Sequence, residues 1–346
     1  MCPWYRRIRA TCVVVLVLAL TLRLTGSTRL QISQETKLEF ASFLLYLETG
    51  RIVHPGTELP QIVTWMPNAA QPADSHQQTA LPKPTEVVQK PQLTFSAADA
   101  GALGVKYGGE YRPDLGALLS APVELDFSGD DPRILIIHTH ATESYTQEDG
   151  WRYNASGNYR TLDENFNMLR VGEKMAEILN GQGIPTLHDR TLHDYPSYNG
   201  SYSNALETIK DYLERYPTIE MVIDVHRDAL ETDDGRQLST HTTVNGQSSA
   251  QIMLVVGTDE GGLNHPDWQD NLSWALKLQC RMDALYPGLA RKLSLREERF
   301  NAHLTAGSIL VEVGTAGDTL ADALAAAESF TWVVAKTIVD MGLDQP

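Results

Sequence analysis

Hydrophobic positions fall into short uninterrupted runs that alternate with stretches of helical periodicity. The apolar runs predict buried strands at 133–137, 220–225, 251–256 and 308–313, with a shorter strand at 184–187. Apolar positions spaced three or four residues apart predict helices at 162–179, 203–215, 268–285 and 318–341. This alternation predicts an α/β fold in which helices flank a mostly parallel central sheet.

The N-terminus has the charge pattern of an exported protein. Arg6, Arg7 and Arg9 precede an apolar run at 10–22. We predict a cytoplasmic basic segment at 1–9, a membrane anchor at 10–26 and an extracytoplasmic remainder, which gives a single-pass protein of the cell membrane. The alternative is a signal peptide removed by cleavage, for which 25–27 is a poor cleavage site.

The next segments predict a tether and then one folded domain. Residues 27–50 include a short amphipathic helix beside the membrane, and prolines interrupt 51–99, which therefore predicts a linker. We assign 100–346 to the catalytic domain. Its fold must rest on its core, because Cys280 has no cysteine to pair with outside the N-terminal segment. The net charge of −16 argues against nucleic acid as a partner.

Polar side chains follow or interrupt three of the predicted strands, at positions that converge in an open α/β sheet. His140 and Glu143 follow the strand at 133–137 in a His-x-x-Glu pair, a spacing that some zinc peptidases use. The alternative is a set of strand-end histidines in ordinary hydrogen bonds. His226 ends the strand at 220–225, where it would supply a third zinc ligand.

Two carboxylates and an arginine complete the predicted site. Asp224 lies two residues before His226 and would either orient its imidazole or serve as a structural carboxylate. Arg227 would clamp a substrate carboxylate or pair with the neighbouring aspartate. Glu312 interrupts an apolar strand, where burial would raise its pKa and suit it to act as a general base. Two histidines, carboxylates and an open position predict a catalytic Zn²⁺ site that hydrolyses an amide.

Five segments together resemble one known family. They lie at 134–146, 171–184, 193–202, 216–230 and 308–315. They resemble stage II sporulation protein P, a family of membrane-anchored peptidoglycan hydrolases of endospore-forming bacteria that is related to the zinc-dependent N-acetylmuramoyl-L-alanine amidases. The resemblance implies cleavage of the amide between N-acetylmuramic acid and L-alanine, and also of peptide cross-links, during forespore engulfment. It also implies the stage II sporulation proteins D and M as partners at the septal membrane.

The resemblance assigns roles to individual positions. It places zinc ligands at His140 and His226, with His138 as a stand-in for His140, and the catalytic glutamate at Glu312. The related amidases take a further zinc ligand from the start of the next helix, so Glu164 and Glu143 both remain candidates for the carboxylate ligand. Two other functions stay open, namely a non-catalytic peptidoglycan-binding scaffold that positions another wall hydrolase and a zinc peptidase that cleaves peptide bonds alone.

Overall fold

The apolar runs form the centre of a mixed seven-stranded sheet. The computed structural model describes residues 92–148, 153 and 159–345. Its sheet strands are β1 (Val105–Tyr107), β2 (Ile134–Ile137), β3 (Thr186–His188), β4 (Met221–Asp228), β7 (Ile252–Gly257), β8 (Leu293–Arg296) and β9 (Ile309–Thr315). The separate strands β5 (Thr242–Val244) and β6 (Gln247–Ser249) form a hairpin.

The strand order is β1-β8-β7-β9-β4-β2-β3. β7 and β9 are antiparallel, and the five other neighbouring pairs are parallel. The predicted fold class, a mostly parallel sheet flanked by helices, is therefore confirmed. The edge strand β1 and its neighbour β8 are missing from the prediction because they are short and because polar residues, among them Lys106 and Ser294, interrupt them.

Within the described residues, five α-helices surround the sheet. They are α1 (Leu115–Ser120), α2 (Met168–Gly181), α3 (Ser201–Arg215), α4 (Trp268–Leu285) and α5 (Leu320–Asp340). The Asn167 side chain caps α2 by accepting a hydrogen bond from the backbone of Leu169, and Thr319 caps α5 in the same way. Helix α2 begins six residues later than predicted because the chain before it pairs instead with the loop after β2, through bridges Glu143–Arg160 and Ser144–Asn167.

The helices pack on both faces of the sheet. The face that carries Ile136, Val225 and Leu254 joins α2, α4 and α5 in the main hydrophobic core. On the other face, Leu135 and Val222 belong to a smaller cluster that includes residues of α3. Alternation along the strands assigns successive side chains to opposite faces, so Asp224 and His226 of β4 share the α3 face.

The folded domain starts earlier than composition predicts. The backbone amide of Leu93 donates to Asp340 O at 2.7 Å, and Phe95 packs against the main core. Residues 92–99, assigned to the linker, therefore belong to the domain; they lack a long apolar pattern because they contribute few core contacts. The predicted segments 1–9, 10–26 and 27–50, and the linker up to residue 91, lie outside the described residues. Among the residues described, no helix is both long and apolar enough to span a membrane.

Candidate active site

Three adjacent strands bring the predicted residues to one end of the sheet. His140 lies just beyond β2, His226 lies in β4, and Glu312 lies in β9. The register places Ile137 beside Asp224 and His226 beside Glu312. Because β2, β4 and β9 are parallel, these side chains meet near the carboxyl ends of the strands, as the sequence predicts.

His140 and His226 lie against each other with ring nitrogens that lack hydrogen bonds. Their ring centroids are 5.1 Å apart and the rings are nearly perpendicular, at 89°. Nδ1 of His140 and Nε2 of His226 are both buried without a hydrogen-bond partner. Nε2 of His226 does lie 3.0 Å from Asp224 Oδ1, but the two atoms do not meet the geometry of a hydrogen bond. Buried polar atoms in proteins nearly always have partners, so Nδ1 of His140 indicates a missing ligand, while Nε2 of His226 faces the Asp224 carboxylate.

Asp224 is fixed in place next to His226. Its two carboxylate oxygens accept hydrogen bonds from the backbone amide and the hydroxyl of Thr139, at 2.8 and 2.6 Å. Burial opposes ionisation of Asp224, but the charge of His226 and the bonds from Thr139 outweigh it and lower its pKa to about 2. The carboxylate therefore faces the imidazole in its charged form and raises the pKa of His226 well above its ordinary value, against the effect of burial.

Glu143 lies between the histidine pair and two arginines. Its Oε2 atom is 3.6 Å from His226 Nδ1 and accepts a hydrogen bond from the Arg227 backbone amide at 3.3 Å. Its Oε1 atom pairs with Arg160 at 3.2 Å. Burial opposes ionisation, but His226 and Arg227 outweigh it and lower the pKa of Glu143 to about 2.

Glu312 has the opposite electrostatic environment. Its pKa is raised to about 8, mainly by burial and in part by the charge of Glu143, while the charge of His226 opposes the shift. Its Oε2 atom is buried without a hydrogen-bond partner, although the side chain as a whole keeps some solvent exposure. A carboxyl group with a pKa near neutrality, reachable from one side, suits proton transfer.

Two of the alternative ligands lie elsewhere. Both ring nitrogens of His138 are occupied, Nδ1 by Val225 O at 3.0 Å and Nε2 by His188 Nε2 at 2.9 Å. Burial lowers the pKa of His138 to about 3, so it is a neutral core residue. Glu164 is half-exposed and pairs with Arg190 at 2.5 Å, away from the histidine pair. The structure therefore brings Glu143, rather than Glu164 or His138, to the site.

Arg227 is buried and binds backbone carbonyls of the protein, so it does not face a substrate. Its guanidinium is buried and donates to the backbone carbonyls of Ser144 at 3.0 Å and Tyr159 at 3.2 Å. The predicted pairing partner, Asp228, binds Arg291 instead, at 2.8 Å. In this arrangement, Arg227 fastens the loop after β2 and balances the charge of Glu143.

Sequence reasoning missed an arginine, an aspartate and a tyrosine around the histidines. Arg160 pairs with the fully buried Asp194 at 2.6 Å, and its guanidinium lies over the ring of Tyr198 at 4.8 Å. Tyr198 in turn stacks on His140, with ring centroids 4.5 Å apart. No spacing rule could find this set, because Arg160 and Asp194 are 34 residues apart and only the folded loops bring them together beside His140.

An apolar groove borders the histidine pair. Tyr202 contacts His140 edge-on at 5.5 Å between centroids, and it lines a cavity of about 320 Å³ together with Leu263 and Phe300. The cavity places a binding space beside the site.

The side chains around the histidine pair have the chemistry of metal ligands, but they are not arranged as a metal site. Within 92–148, 153 and 159–345, no three His, Cys, Asp or Glu side chains form a group ready to hold a metal ion. The imidazoles of His140 and His226 and the adjacent Glu143 are nevertheless the donor types that Zn²⁺ prefers.

Comparison with known families places this chain. The family model of Stage II sporulation protein P (SpoIIP) matches residues 60–335, a range that includes all the site residues described above. This chain belongs to the SpoIIP family. The family assignment from the five sequence segments is thereby confirmed.

One curated protein of the SpoIIP family is similar to part of this chain. The Stage II sporulation protein P of Bacillus subtilis (strain 168) is 27% identical over 222 residues, which cover 58% of this chain and 50% of the relative. This chain thus matches about half the length of that protein.

Two solved structures are similar to this chain at low identity and low TM-score. An N-acetylmuramoyl-L-alanine amidase from Clostridium difficile 630 has a TM-score of 0.38 and 11% identity, over 63% of this chain and 100% of that one. The catalytic domain of an N-acetylmuramoyl-L-alanine amidase from Bacillus (Paenibacillus) polymyxa has a TM-score of 0.34 and 9% identity, over 60% and 97%. Likenesses this distant do not identify a reaction.

Proposed function

We propose that this SpoIIP-family chain is a zinc-dependent peptidoglycan hydrolase. The observation that carries the proposal is the position of Glu312, a carboxyl group with a raised pKa, next to a histidine pair in which the buried Nδ1 of His140 lacks a partner. A purely structural cluster would satisfy that nitrogen, because an unpaired buried polar atom destabilises a fold by about 1–3 kcal/mol.

His140 and His226 are the proposed zinc ligands, with Glu143 as the carboxylate ligand. Bound zinc would polarise the scissile carbonyl and lower the pKa of a water molecule. Asp224 would hold the ring of His226 in its orientation through the rigid contact with Thr139. Arg160 would hold Glu143 on the side away from His226.

Glu312 is the proposed proton carrier. A group with a pKa of about 8 populates both protonation states near neutral pH. Glu312 takes a proton from the attacking water as the water oxygen bonds to the carbonyl carbon. It then gives the proton to the amide nitrogen as the C–N bond breaks, so the products are a carboxylic acid and a free amine.

The proposed substrate bond is the amide between N-acetylmuramic acid and L-alanine, with peptide cross-links as a further target. The similarity of the strand-end motifs to the SpoIIP family supports this choice. We further propose that the segment 10–26 anchors the chain in the cell membrane with the domain outside, where the protein acts with the stage II sporulation proteins D and M in forespore engulfment.

A non-catalytic scaffold is the second candidate. The absence of a ready three-ligand group among the described residues favours it. Such a protein would bind the wall and position another hydrolase.

Mass analysis of the soluble products from purified sacculi separates the two candidates. The full chain is incubated with sacculi as purified, after chelation, and after zinc is restored. We expect free stem peptides that begin with L-alanine, loss of the products with chelator and recovery with zinc. Shortened cross-links with intact muramyl amides would transfer the activity to peptide bonds. Sedimentation with the sacculi without any product under all three conditions would establish the scaffold.

A further inference from the structure

The sheet face that carries the candidate site continues away from it. Register pairs His226 of β4 with Glu312 of β9, and Glu312 with Met253 of β7. Directly paired residues project from the same face of a sheet. Met253 is therefore the neighbour of Glu312 on the side opposite His226.

A second row of paired residues extends this face to the edge of the sheet. Asp224 pairs with Leu310, Leu310 with Val255, Val255 with Ser294, and Ser294 with Lys106. The row runs from β4 across β9, β7 and β8 to β1. Lys106 at the edge thus lies on the same face as the candidate site.

Helix α3 packs against this face over β2 and β4, where Leu135 and Val222 meet Ala205. Helices α2, α4 and α5 pack on the opposite face. Towards β1, Met253 keeps part of its surface accessible and Lys106 is exposed. The face is thus accessible to solvent next to Glu312 as well as at the edge strand.

A groove of about 290 Å³ occupies this accessible region. Four cationic side chains line it, together with Met253 and Asp228, and the four are Lys106, Arg291, Lys292 and Arg296. Asp228 is paired with Arg291 at 2.8 Å, while Lys106 and Lys292 are both exposed. Arg296 likewise pairs with Glu298 at 3.2 Å, so the two lysines give the groove a net positive charge. This contrasts with the net charge of −16 of the chain, and the groove therefore favours anions against the overall field.

We propose that this basic groove binds carboxylates of the peptide part of the substrate and so determines which peptides are cleaved. The inference rests on the proposed hydrolysis at Glu312. Because neighbouring strands are about 4.8 Å apart, the distance from β9 to β8 or β1 is about 10–15 Å. An extended peptide spans that distance in three or four residues, at about 3.3 Å each. The recognised carboxylates therefore lie three or four residues from the scissile amide.

The test compares two soluble muropeptides that differ only in their peptide carboxylates, free in one and amidated in the other. Steady-state rates are measured with the zinc-loaded full chain and with its Lys106→Glu and Lys292→Glu variants. We expect each variant to raise KM for the free-carboxylate muropeptide about two- to fivefold, the range of an exposed ion pair, with kcat unchanged. KM for the amidated muropeptide should not rise. Added salt should reduce the difference in KM between the two muropeptides for the wild type.

Lys336→Glu is the matched control, because Lys336 is exposed on α5, on the other side of the sheet. It makes the same change in net charge and should leave both KM values unaltered. Equal KM values for the two muropeptides in the wild type would refute carboxylate binding by the groove and leave the proposed hydrolysis unaffected. An increase in KM in the control as large as that in the groove variants would do the same. A wild-type chain that cleaves neither muropeptide would instead refute the proposed function, and the groove with it.

Discussion

The buried ion pair between Arg160 and Asp194 gives a quantitative test of how the candidate site is held. The pair spans 2.6 Å and the Asp194 side chain is fully buried, while that of Arg160 is 18% exposed. Removal of one partner from a buried pair costs about 3–5 kcal/mol. Since Asp194 keeps a hydrogen bond from the Thr142 hydroxyl at 2.6 Å, we expect Arg160→Met to lower the free energy of unfolding by about 3 kcal/mol.

A double-mutant cycle isolates the pair. Asp194→Asn should cost about 1–2 kcal/mol, because Arg160 still faces Glu143 at 3.2 Å. The double variant should be only slightly less stable than Arg160→Met, which corresponds to a coupling energy of about 1–2 kcal/mol. Urea unfolding of the full chain measures all four species.

Arg190→Met provides the surface comparison for this cycle. Arg190 pairs with Glu164 where both side chains are about half-exposed, at 44% and 50%. Its loss should change the unfolding free energy by about 0.5 kcal/mol or less. If Arg160→Met costs no more than Arg190→Met, or if the coupling energy is near zero, the site is not held by the Arg160–Asp194 pair.

Three further predictions concern the surroundings of the site. Gly172→Ala on α2 should destabilise the fold by about 1–3 kcal/mol in urea unfolding, because the added Cβ would lie 2.6 Å from His188 Nε2. Burial lowers the pKa of His188 to about 4, so the unfolded state binds more protons below about pH 6.5 and stability falls as pH falls from there. His188→Gln should remove about 1–2 kcal/mol of the difference in unfolding free energy between pH 7 and pH 5, and an unchanged slope would contradict this. Tyr198→Ala should lower kcat/KM about two- to tenfold through loss of the stacking on His140, whereas Tyr195→Ala, at an equally exposed tyrosine in the same segment, should not.

The sequence predicts the centre of this fold well because its strands are fully buried. Residues 134–137 have no exposed face, so they form an unbroken apolar run that only a buried strand explains. Glu312 stands out for the same reason, as a charge within such a run. The edge strand β1 and its neighbour β8 carry polar residues and are only three and four residues long, which leaves too little periodicity to recognise.

The parts of the site that the sequence does not predict depend on loops. Arg160 reaches Asp194 and Glu143 only because the chain before α2 pairs with the loop after β2. The role of Arg227 depends on which carbonyls surround it, and residue type cannot tell a guanidinium that holds a loop from one that faces a substrate. The sequence does not distinguish His138 from His140, yet both ring nitrogens of His138 have partners in the core, whereas Nδ1 of His140 has none.

The most direct test of the central claim measures zinc content and turnover together in Glu312→Gln. The variant keeps the shape of the side chain and removes the proton carrier, so bound zinc per chain should equal that of the wild type while kcat on sacculi falls by about 100-fold or more. Glu328→Gln, at a half-exposed glutamate on α5, should change neither quantity. Wild-type turnover in Glu312→Gln, with zinc still bound, would contradict the assignment of proton transfer to Glu312.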